Sequence, residues 1–111
     1  MAKYETTVVG QFEEVVNRLQ KDIGNSGISM NLVDESSYTT GDTKIAVQVY
    51  DKYFARNGNR ASLSLTIVGN GSNIFISAIG AGGGKGVFFN FSLGAEDDMV
   101  AIVENSIEQM K

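Results

Sequence analysis

Apolar residues recur along this chain with two periods, and the changes of period mark its elements. "KYETTVV", Lys3 to Val9, is rich in threonine, tyrosine and valine and reads as a first strand, ended by Gly10. Phe12, Val15, Val16, Leu19 and Ile23 then return at helical spacing, with Glu13, Glu14, Asn17, Arg18, Lys21 and Asp22 between them. Apart from Asp22, the acids come early and the bases late, which mostly suits the helix dipole. "GNSG", residues 24–27, supplies the stop. Period two follows. Ile28, Met30 and Leu32 share one face of "ISMNLV", Ile45, Val47 and Val49 one face of "KIAVQVY", and Ala61, Leu63, Leu65 and Ile67 one face of "ASLSLTIV". In "NIFISAI", Ile74, Ile76 and Ala78 keep the pattern, while Phe75 and Ile79 make the other face apolar too. "TTGD", "RNGN" and "GNGS" read as the hairpin turns between these runs. "GVFFNFSL" is one more strand, with Val87, Phe89, Phe91 and Leu93 on one side. A final helix carries Met99, Ile102, Val103, Ser106, Ile107 and Met110 on its inner stripe, with Glu96, Asp97 and Asp98 in its first turn.

The predicted order is β-α-β-β-β-β-β-α. One sheet with one apolar face and two helices with one apolar stripe each combine most economically as two layers. The expectation is therefore a single α+β domain over 1–111: a curved antiparallel sheet with two helices on one face. A chain of 111 residues can bury roughly 65% of the surface it exposes when unfolded, enough for a core without staples.

Composition removes chemistry rather than suggesting it. The chain has no cysteine and no histidine, which excludes disulfides, thiolate catalysis and the commonest general base and metal ligand. Its net charge of −4 works against nucleic acid and anionic membranes as partners. No run approaches the ~20 apolar residues of a membrane span, and the start lacks the apolar core of a signal peptide, so the expected location is cytoplasmic.

Three motifs invite chemistry, and each has a plainer reading. In "AIGAGGGKGVFF", residues 78–89, Lys85 follows Gly84 as in a phosphate loop. Ile79 replaces the first glycine of that motif, however, Gly86 replaces its hydroxyl, and a strand pattern follows instead of a helix. The run reads as a bend or bulge. In "YDKYFARNGNR", Lys52, Arg56 and Arg60 alternate with Tyr50, Tyr53 and Phe54, a weak form of the basic and aromatic mixture that binds single strands. A charged hairpin tip explains it better. The carboxylates at Asp34, Glu35, Asp42, Asp51 and 96–98 show no calcium-loop spacing. No cofactor or metal is called for.

The outer sheet face is the most informative. Opposite the expected core positions lie Ser29, Asn31, Ala46, Gln48, Ser62, Ser64, Thr66, Phe75, Ser77 and Ile79, none of them charged. Such a face suits association with a second copy or another protein. The leading expectation is a non-enzymatic binding or interaction module that self-associates as a homodimer through this face, with Ser64, Phe75, Ser77, Ile79 and Phe88 in contact. The alternative is a carrier of a small apolar ligand, its pocket between the last helix and the sheet and lined by Phe89, Phe91, Met99 and Val103.

The run "GAGGGKGVFF", the "GAE" that opens the last helix and the β-α start resemble a family of small bacterial proteins classed as a domain of unknown function. The resemblance covers nearly the whole chain and implies no activity, cofactor or catalytic residue. The element order is also similar to helix-grip and TATA-binding-protein-like folds, which host lipid carriers, DNA binders and subunit modules alike.

Overall fold

The computed structural model describes residues 2–27, 30–54, 59–82 and 95–111. Their order is β1 (Ala2–Val9), α1 (Phe12–Gly24), β2 (Asn31–Thr40), β3 (Thr43–Phe54), β4 (Asn59–Asn70), β5 (Asn73–Gly82) and α2 (Ala95–Met110). The five strands form one antiparallel sheet in the order β1-β5-β4-β3-β2. α2 packs on β5, β4 and β1, and α1 packs on α2 and β4, so both helices form one layer on one face. The α+β fold expected from the periodicity is the fold observed. The predicted strand "GVFFNFSL" and the glycine run beyond Gly82 lie outside the described residues, as does most of the "RNGN" turn.

Local chemistry explains the turns and one close approach. Gly41 and Gly71 are the first central residues of two-residue hairpins, with φ of 57° and 62°. Positive φ at that position alone is the type II′ pattern, which matches the twist of the flanking strands. Gly69 on β4 lies under the ring of Phe12, where an added Cβ would fall 2.8 Å from a ring carbon. The glycine lets the start of α1 settle onto the sheet. α1 ends as its sequence indicates: the Ser26 hydroxyl donates to the Ile23 carbonyl at 2.8 Å.

The core lies between β4, β5 and the helices. Leu63, Leu65, Ile67, Ile74, Ile76 and Ala78 are fully buried against Leu19, Met99, Val103 and Ile107. β4 and β5 thus keep the faces that their alternation predicts.

β3 does not. The pairing places Ala46 opposite Ile67, Gln48 opposite Leu65 and Tyr50 opposite Leu63. Paired residues share a face, so Ala46, Gln48 and Tyr50 look toward the helices and are buried. Ile45, Val47 and Val49 point to the open face instead. Both faces of β3 have apolar members, and the strict alternation of β4 decides between them, because a slip of one residue would reverse every side chain. β2 departs further. It begins three residues later than the expected run, and every one of its residues is exposed, Leu32 included. It is the sheet edge farthest from β1 and β5, and the main helix contacts among the described residues are with β1, β5 and β4. A bulge between Leu32 and Asp34 then changes which residues face the helices.

Candidate interaction face

The registers align residues in rows across the open face. One row runs Lys3, Ile79, Ser64, Val49, Asp34 from β1 to β2. The next runs Glu5, Ser77, Thr66, Val47, Ser36, and the third Thr7, Phe75, Val68, Ile45, Tyr38. Read along the strands, the same grid gives columns. The central β4 column is mostly small: Ser62, Ser64, Thr66 and Val68. The columns of β5 and β3 on either side carry the larger apolar groups. In these rows, charge is confined to the edge strands.

Phe75 and Ile79 are each 39% exposed, large apolar side chains in a sheet interior that the described residues leave open. Tyr38 is more exposed still. Ser77 is nearly covered, and its hydroxyl donates to Glu5 at 2.9 Å. Ser64, Phe75, Ser77 and Ile79 therefore lie on one face, as the alternation of β4 and β5 implies, whereas Phe88 lies outside the described residues. Ala46 and Gln48, expected on this face, lie on the other. Sequence reasoning missed Ile45, Val47 and Val49 here, since only pairing with β4 reveals which side of β3 they take.

The remaining candidates separate. Met99 and Val103 are fully buried in the core, while Phe89 and Phe91 lie outside the described residues. Of the basic and aromatic group, Tyr50 is buried on the helix side, and Arg60 is held by Asp51 at 3.0 Å with its guanidinium 5.9 Å from the centre of the Tyr53 ring. Asp34, Glu35, Asp42 and Asp51 lie apart along β2, its turn and β3. Among the described residues, no cluster of three or more acidic side chains is placed to hold a metal. No helix among them is long and apolar enough to cross a membrane.

The helix side holds a second feature. Between α1 and the β2–β3 edge runs an open groove of about 500 Å³, lined by Phe12, Val16, Gln20, Glu35, Ala46 and Gln48 among others. Gln48 is 2% exposed, and its carbonyl accepts from the Tyr50 hydroxyl at 2.7 Å. Burial and the nearby Glu35 charge push the Tyr50 phenol up to about 12.

The family of unknown function DUF6054 matches residues 1–111. The chain belongs to it. No curated protein matches the sequence. Among solved structures, the protein TTHA0849 from Thermus thermophilus aligns at 9% identity with a TM-score of 0.30, over 99% of this chain and 98% of its own. The Zhui aromatase/cyclase from Streptomyces sp. R1128 aligns at 8% identity and a TM-score of 0.30, over 99% of this chain and 94% of its own. Neither value carries a function across to this DUF6054 chain.

Proposed function

We propose that this chain is a binding module without covalent chemistry, and that its partner is a second copy met through the open sheet face. The arrangement of the rows supports this. A two-fold axis parallel to the strands lays β5 of one copy over β3 of the other and β4 over β4. Ile79 then meets the partner copy's Val49 column and Phe75 its Ile45 column, while the small β4 residues lie at the axis. The same rotation sets Lys3 opposite Asp34 twice. An axis across the strands sets β1 over β1 and β2 over β2, so that Lys3 and Asp34 never meet. Aligned sheets about 10 Å apart are a common way to cover two such faces.

Native mass spectrometry and light scattering test this reading. The expected result is a dimer that Ser64→Glu converts to monomer, weakening association by about a hundredfold or more, because two carboxylates would meet near the axis. A wild-type chain that stays monomeric under the same conditions overturns it.

A further inference from the structure

The groove beneath α1 has a chemistry of its own. Its lining includes the carboxylates of Glu13 and Glu35, and neither Lys nor Arg is among its described residues. Lys44, outside the lining, reaches Glu13 at 2.6 Å and matches that charge. Glu35 is met by an amide instead: Gln48 Nε2 stands 3.5 Å from Glu35 Oε1 and 3.5 Å from Gln20 Oε1. Both contacts are long against the usual ~2.9 Å. Two acceptors therefore converge on a nitrogen that neither holds tightly. The amide cannot turn away freely, because its own oxygen is engaged by Tyr50. Beside this polar end, Val16 and Ala46 offer an apolar wall. The volume exists because Ala46 pairs with Ser37 across the floor, two small side chains beside a helix whose main sheet contact is with β4. At about 500 Å³ the groove has the size of a small-molecule site.

We infer that this groove binds a small organic ammonium ion. The cationic head lies beside Gln48 Nε2, within reach of the Glu35 and Gln20 acceptors that this amide holds only at 3.5 Å, and the apolar stem lies along Val16 and Ala46. An ammonium group supplies donors to both acceptors and meets the Glu35 charge, and charge-assisted bonds of this kind are the strong ones. An anionic ligand would face two carboxylates with no cationic side chain in the lining to receive it. A neutral alcohol of the same length would meet the stem wall but not the charge. The groove opens on the helix side, so this inference is independent of association through the other face.

The test is an NMR titration of the isotope-labelled full chain with n-butylammonium, n-butanol and n-butyrate at equal ionic strength. The side-chain amide signals of Gln48 and Gln20 report the site. Saturable shifts with butylammonium, and none with butyrate, are expected. Glu35→Gln should weaken binding at least about tenfold, while Glu104→Gln, on an exposed position of α2, leaves it unchanged. Both substitutions are on exposed positions, and retained amide dispersion in each variant confirms folding. Butyrate or butanol binding as well as butylammonium, equal affinity in Glu35→Gln, or the absence of any saturable shift would each overturn the inference.

Discussion

The helix-covered face of the sheet and its open face are made by the same five strands, and they differ most at β3. On β4 the large groups Leu63, Leu65 and Ile67 turn inward, and Ser62, Ser64 and Thr66 turn outward. On β3 the order is reversed: Ala46 and Gln48 turn inward, and Ile45, Val47 and Val49 outward. The helices account for this. Their main contacts are with β1, β5 and β4, while every residue of β2 is exposed. At β3 the inner face borders a groove, where small and hydrogen-bonded side chains fit. Its β-branched residues are on the side that the described helices do not cover. The lesson is that the apolar face of a strand is not always its core face. A strand at the margin of the helix layer can direct its apolar residues toward an interface.

The sharpest way to break this contrast is to compare one position from each face of β4. Leu65 is fully buried, and Leu65→Ala should cost about 2–5 kcal/mol by urea denaturation, the range for a methyl-lined cavity that collapses only in part. Thr66→Ala, one residue on, should cost less than about 1 kcal/mol in the monomer. Equal costs would show that the open face is as enclosed as the core.

A smaller effect tests the inner face of β3. The Tyr50 phenol is raised from its ordinary 10.0 to about 12, chiefly by burial, with the Glu35 charge adding to it. A folded-state value above the unfolded one means that the folded chain holds this proton more tightly. Its stabilising contribution is therefore complete below pH 10 and is lost as pH rises through about 12. Over that window wild-type stability should fall relative to Tyr50→Phe by at most about 2–3 kcal/mol, read from denaturation at several pH values. Parallel curves for the two proteins would mean that Tyr50 is not enclosed, and that the inner face of β3 is as open as its outer one.

These two strands also show what the amino-acid order made legible. β4 and both helices could be read directly, because each has one apolar periodicity and the core lies on it, and β5 followed from the alternation of Ile74, Ile76 and Ala78 although Phe75 and Ile79 make its other face apolar too. β3 could be recognised as a strand but not oriented, since "KIAVQVY" places Ile and Val on one side and Ala and Tyr on the other. Orientation is a property of its pairing with β4, which no local window contains. β2 was read too early: Met30 does pack, partly buried, against the core, but it precedes the strand, and the segment from Asn31 to Thr40, Leu32 included, pairs as an exposed ribbon. The part of the candidate face on β4 and β5 was legible for the same reason that their core was. The groove was not, because Gln20, Glu35 and Gln48 come from three elements brought together only by the fold.

The subtlest prediction concerns the direction of the two-fold axis. Lys3 and Asp34 end the same row at opposite edges of the sheet, too far apart to interact within one copy. An axis along the strands brings each to the other's counterpart, and an axis across them does not. Lys3 already has Glu5 nearby at 4.0 Å, and both side chains are largely exposed, so each rim contact is worth little alone, about 0–1 kcal/mol. Symmetry doubles it. Lys3→Glu and Asp34→Lys should each weaken the dimer by roughly three- to tenfold at low salt, and the double reversal should restore most of the loss. Restoration is the informative result, because either single change also alters net charge, from −4 to −6 or from −4 to −2, and so shifts general repulsion. The doubly reversed chain returns to −4, and its affinity exceeds the sum of the two single effects only where position 3 meets position 34 of the other copy. Single losses that simply add would place the axis across the strands, with the same face buried and different edges in contact.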